Sequence, residues 1–225
     1  MKLLHIYKSV ITGFVFFYMC AATAGMTEEV VELQDEWARI KYLLPEKERE
    51  NAFKLLADKA EKIKATQNNN AEALIWEGII LSTYAGEKGG LGALGLAKKA
   101  RTSFEEAISI DPAAMKGSAY TSLGSLYYQV PSWPIGFGDD DKALEYLSRG
   151  LQLNPDGIDS NYFYGDYLMK QGEFTKAEEI LNKALQAAGR EGREVADQGR
   201  RKEIEEALNK LKAQQTLAGK KPPSL

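Results

Sequence analysis

Asp139, Asp140 and Asp141 form the longest unbroken run of carboxylates in the chain, and carboxylates can hold a metal ion. A calcium loop needs about six oxygen ligands, alternating along the chain and closed by a distal bidentate glutamate. Three adjacent aspartates ahead of Lys142-Ala143 lack that alternation. They suit the start of a helix, where acids meet the positive end of the dipole. The glycines from Gly86 to Gly95 could in principle cradle a phosphate, but no strand pattern precedes them and no Gly-Lys-Ser/Thr follows. Glu105-Glu106 and Glu178-Glu179 fall on polar helix faces, without the apolar surroundings that drive an acid and a base apart. The single histidine, His5, and the single cysteine, Cys20, stand near the N-terminus. No catalytic residue, metal site or cofactor is expected, and the chain does not read as an enzyme.

Residues 1–24 read as a secretory signal peptide. Lys2 and Lys8 give a positive start, Val10 to Met19 an apolar run, and Ala22-Thr23-Ala24 a small-x-small cleavage site. The run is short for a bilayer span, which needs about 20 apolar residues. Lipidation at Cys20 is the rival reading, set back by Phe17, Tyr18 and Met19, since a small residue should precede a lipidated cysteine. Cleavage after Ala24 would remove His5 and Cys20 together. Disulfides, thiolate nucleophiles, histidine bases and the usual zinc sites would go with them. The expected location is periplasmic, with membrane contact only by association or through Cys20.

Of the 225 residues, 44% are apolar and 27% charged, which suits a globular core with an ordinary solvated surface. The net charge is −3, and without Lys2 and Lys8 it becomes −5, from 27 basic and 32 acidic residues. A nucleic-acid binder would normally show a basic face, so that class is excluded.

Helical spacing dominates what remains. Val30, Leu33, Trp37, Ile40 and Leu44 share one stripe, and Pro45 opens a second helix carrying Phe53, Leu56, Ala60 and Ile63. In the stretch from Ile158 to Glu191 two amphipathic segments meet at Gln171-Gly172. Small residues fall at Gly165, Ala177 and Ala184, beside Tyr164, Tyr167, Leu168 and Leu181. Two helices packed closely along their length need small residues where the backbones approach and large ones beside them. This spacing resembles the tetratricopeptide repeat, a helix-turn-helix unit of 34 residues. Leu74, Gly78, Leu81, Ala100, Phe104, Ala107 and Pro112 match the same pattern, as do Leu123-Gly124, Tyr127, Ala143, Leu147, Gly150 and Pro155.

Two units are stretched. Gly78 to Ala100 is 22 residues and Gly124 to Ala143 is 19, where Gly165 to Ala177 is 12. The surplus falls in Gly86 to Gly95 and in Val130 to Gly138, read as widened turns on one edge of the stack. Insertions on one face of a repeat array often mark its binding face. The expected fold is therefore all-α, a tetratricopeptide-like α-α superhelix (solenoid) with widened intra-repeat turns and a C-terminal cap helix. Its parts are a degenerate helix pair over 27–70 and repeats over 71–116, 117–157 and 158–191. A cap helix over 193–215, with Val195, Ile204, Leu208 and Leu211 as its stripe, precedes a frayed tail over 216–225.

In such a stack the first helix of each pair lines a concave groove. The resemblance places there Ile75, Ile79 and Ser82, then Ser118, Thr121, Ser125 and Tyr128, then Asp159, Tyr162, Asp166 and Met169. It implies a non-catalytic scaffold or adaptor of the bacterial envelope, holding a protein or peptide by tyrosine and methionine contacts. Trp133, Ile135 and Phe137, set among prolines and glycines, either form an exposed interaction patch or tuck over the helix ends. Pro131 to Asp139 also has a local similarity to the T-component of TRAP transport systems, which implies a small hydrophobic ligand as the alternative partner.

Overall fold

The computed structural model describes residues 26–219 other than residue 68, with backbone alone at residue 91 and residues 215–219. His5, Cys20, the signal segment and the end of the tail lie outside the described residues. Among the described residues nine α-helices follow one another: α1 Glu28–Leu43, α2 Glu46–Thr66, α3 Ala71–Lys88, α4 Gly90–Ile110, α5 Ser118–Gln129, α6 Asp140–Leu153, α7 Ile158–Lys170, α8 Phe174–Leu185 and α9 Glu194–Gly219. No strand occurs among the described residues, only an isolated bridge between Ser132 and Gly138. None of the described helices is long and apolar enough to cross a membrane.

The three helix pairs from α3 to α8 are each held at a glycine. A β-carbon on Gly124 would lie 2.7 Å from Leu147 Cγ and 2.9 Å from the Leu147 backbone nitrogen, so α5 and α6 meet there only because position 124 is glycine. Gly78 against Phe104 and Gly165 against Leu181 repeat the arrangement in the neighbouring pairs. Phe104, Leu147 and Leu181 are fully buried, and so are the alanines Ala100, Ala143 and Ala177 beside them. Burial of a Leu- or Phe-sized side chain contributes about 1.5–3 kcal/mol, so these contacts carry the layer-to-layer cohesion.

Turns follow local chemistry. Asn70 caps α3 by accepting from the Ala73 N–H at 2.9 Å. Gly172 has φ +78°, and the Glu173 N–H returns to the Leu168 carbonyl at 2.9 Å. That is the left-handed helix ending expected at Gln171-Gly172. Pro45 sits one place earlier than expected, at the N-cap of α2.

The first stretched unit differs from its expected form. Its extra residues do not widen a turn. They lengthen α3 to 18 residues and α4 to 21, leaving Gly89 alone between them. Only Gly89 and Gly90 in that run take positive φ, and the later glycines are helical. An isolated glycine costs a helix about 1 kcal/mol against alanine, which the long α3–α4 contact absorbs. The second insertion, between α5 and α6, is a true loop.

The inner helices α1, α3, α5 and α7 touch in series, and α2, α4, α6 and α8 back them. The last helix changes the shape of the whole. α9 packs on α8, as a cap should, and also on α7 and α1, so the inner layer closes into a ring of five helices. Its inward face carries Ala196, Asp197, Arg200, Ile204, Leu208 and Leu211. Val195, expected on the apolar stripe, is exposed instead. Arg201 reaches back to the carbonyls of Leu185 and Ala187, satisfying groups at the end of α8 that no helix turn covers.

Candidate functional site

Inside the five-helix ring lies a cavity of about 480 Å³, lined from α1, α3, α5, α7 and α9.

The expected groove residues divide into three groups. Ile79, Ser82, Thr121, Ser125 and Tyr162 do line the cavity, with Ser118 and Asp159. Ile75 is 0% exposed and belongs to the core, out of reach of any partner. Tyr128, Asp166 and Met169 stand away from the cavity and tie α5 to α7. The Tyr128 hydroxyl donates to Asp166 at 2.7 Å, Lys170 donates to the Tyr128 carbonyl, and Met169 packs on the core. Burial, then the Asp166 charge, pushes the Tyr128 hydroxyl well above its ordinary pKa, so it stays a donor.

The C-terminal side of the cavity is charged, from residues the helical pattern conceals. Asp159 receives Arg200 Nε at 2.8 Å and Arg190 at 2.8 Å. Arg190 also holds Asp197 at 2.8 Å through Nε, and Arg200 holds Glu203 at 2.5 Å. Burial works against the Asp159 anion, but Arg200, then Arg190 and Arg193, outweigh it and hold the carboxyl at about 2. The Arg200 guanidinium stacks on Tyr162 at 4.4 Å and Phe163 at 4.7 Å from the ring centres. Tyr162 and Asp159 are thereby engaged by the chain's own α9. The Tyr162 hydroxyl is raised to about 12, burial leading and Arg200 opposing. Arg193, Asp197 and Arg200 are spaced i, i+4, i+7, on the face that also buries Ala196 and Ile204, and that spacing is their trace in the sequence.

An aromatic cluster adjoins these charges, with Arg193 over the Trp76 ring. Trp37 stands edge-on to Tyr42 at 5.7 Å and to Trp76 at 6.0 Å, and its indole N–H donates to Thr83 at 2.9 Å.

The loop between α5 and α6 stands at one edge of the stack, beside the far end of α3. Trp133 is 86% exposed and Ile135 70% exposed, whereas Phe137 turns inward onto Tyr127 and under Arg101 of α4. Exposure and tucking thus divide the loop, with Trp133 and Ile135 in solvent and Phe137 packed inward. Backbone bonds from Gly136 to Ser132 and from Gly138 to Pro131 fix its shape, and Asp139 N–H ties its end to Tyr127 at 2.9 Å. Asp139 then caps α6, accepting from Asp141 at 3.1 Å and Lys142 at 3.0 Å. Its neighbour Asp140 pairs with Lys170 at 3.4 Å.

Repeated helix pairs stacked in two layers, three of them locked at a glycine, define an all-α solenoid of the tetratricopeptide type among the described residues. Residues 135–197 match the tetratricopeptide repeat family model. Two solved structures of MamA are similar to it. One is 22% identical over 78% of this chain and 96% of that chain, with a TM-score of 0.43. The other is 21% identical over 88% of this chain and 99% of that chain, with a TM-score of 0.42. No curated protein matches the chain. The local similarity to the transport T-component finds no support among these matches.

Proposed function

We propose that this chain is a non-catalytic protein-binding scaffold of the bacterial cell envelope, which meets its partner at the edge carrying the Trp133 loop. The repeat framework supports protein interaction in general. The observation that carries the finer reading is the exposure of Trp133 and Ile135, at 86% and 70%, on a loop braced by its own backbone bonds. Two large apolar side chains held rigidly in water lose little entropy on docking, and such anchors dominate protein interfaces. The envelope location rests on Lys2, Lys8, the apolar run and Ala22-Thr23-Ala24.

Crosslinking in intact envelopes followed by pull-down tests this reading. A stoichiometric partner is expected with the native chain and is lost from a Trp133→Ser, Ile135→Ser double variant of unchanged helicity. Equal recovery by both chains would remove the loop from the interface, and failure to export the chain would remove the location.

A further inference from the structure

The cavity inside the ring carries donors that the protein itself leaves unmet. Trp76 is 1% exposed, lines the cavity, and its indole N–H finds no acceptor among the described residues. Arg193 lies over the Trp76 ring at 5.3 Å from its centre, and its Nε is likewise buried without an acceptor. The one side-chain hydrogen bond Arg193 makes to a described residue is to a neutral group, Gln34 Oε1, at 3.0 Å. Its neighbours Arg190 and Arg200 have Asp159, Asp197 and Glu203, but no carboxylate among the described residues lies in ion-pair range of Arg193. A buried donor without an acceptor costs about 1–3 kcal/mol, more when charged. Two such donors side by side on one cavity wall, one of them cationic, define a demand for a single anionic acceptor.

Charge and shape narrow the class. The residues lining the cavity include five cations, Lys41, Lys116, Arg190, Arg193 and Arg200, against three carboxylates, Glu87, Asp159 and Glu203, so the lining has a formal positive excess that an anion offsets. A guanidinium edge matches the two oxygens of a carboxylate. Beside it, Trp37, Trp76, Tyr162 and Phe163 offer flat apolar walls. A volume of about 480 Å³ falls within the range of small-molecule sites. We infer that the ring binds a small aromatic monocarboxylate, its carboxylate on Arg193 and Trp76 and its ring among the cavity aromatics. This site is separate from the Trp133 edge and does not depend on the scaffold reading.

Calorimetric titration of the purified chain with phenylacetate tests it, with phenylacetamide and inorganic phosphate as controls. Saturable one-to-one binding of phenylacetate is expected, with phenylacetamide and phosphate each about tenfold weaker or worse. Arg193→Gln should weaken phenylacetate about tenfold or more. Trp76→Phe, which keeps the ring and removes the N–H, should weaken it several-fold. Circular dichroism establishes that both variants are folded; if Arg193→Gln is not, Trp76→Phe decides. No saturation below about 10 mM, equal affinity for the amide, preference for phosphate, or indifference to a folded variant would each overturn the assignment.

Discussion

Asp159 is the residue on which the charged side of the ring turns. It is half-buried at the start of α7 and accepts from arginines of the α8–α9 connection and of α9. In the unfolded chain its carboxyl titrates near 3.8, and in the fold at about 2. A depressed carboxylate contributes stability that is whole above about pH 4 and is lost as the pH falls toward 2. The shift corresponds to about 2 kcal/mol, or about 1–2 after discounting for the exposed part of the side chain. Asp159→Asn should therefore cost about 1–3 kcal/mol at pH 7 while flattening the stability loss between pH 4 and pH 2. Urea melts of both chains across that range measure it. A variant as acid-sensitive as the native chain would place the titration elsewhere.

The helices show which information is local. Asp139 was recognisable as a cap because its acceptor role involves residues two and three places on. Asp139→Ala should cost about 1 kcal/mol, lowering the thermal midpoint by about 2–4 °C, with Asp141→Ala as a near-neutral comparison. The glycine-to-alanine spacing of the pairs was equally legible, since Gly165 and Leu181 lie within one hairpin. The glycine-rich stretch after Gly86 misleads, because glycine permits a turn without requiring one, and contact along α3 keeps most of it helical. Ile204, Leu208 and Leu211 of α9 are buried as their spacing implies, but the charged part of the same face was hidden for another reason. Its buried stripe contains Asp197 and Arg200, whose partners Arg190 and Asp159 lie outside the helix, so the pattern resembles a solvated charged surface.

At the scale of the molecule the decisive contact joins the two ends of the described chain. Tyr42 of α1 packs over Gly199 of α9, its hydroxyl donates to Glu203 at 3.3 Å, and burial holds that hydroxyl far above its ordinary pKa. Partners 161 residues apart leave no periodic trace, so ring closure is the part of the fold that spacing alone does not reveal. Closure also alters how the array loses structure. In an open stack each repeat feels only its neighbours and the terminal ones fray first, whereas here α1 and α9 each have a neighbour on both sides. Gly199→Ala separates the two cases by sign. In an open helix the change stabilises by about 0.5–1 kcal/mol through helix propensity. In the closed ring the new β-carbon runs into the Tyr42 ring near its root, where Trp37 stands edge-on at 5.7 Å and blocks an easy retreat. The expected result is a net loss of about 1–2 kcal/mol. Hydrogen exchange should then show protection falling in α1 as well as α9, with α4 and α6 little changed. A stabilised variant, or a loss confined to α9, would mean that the ring stands open in solution.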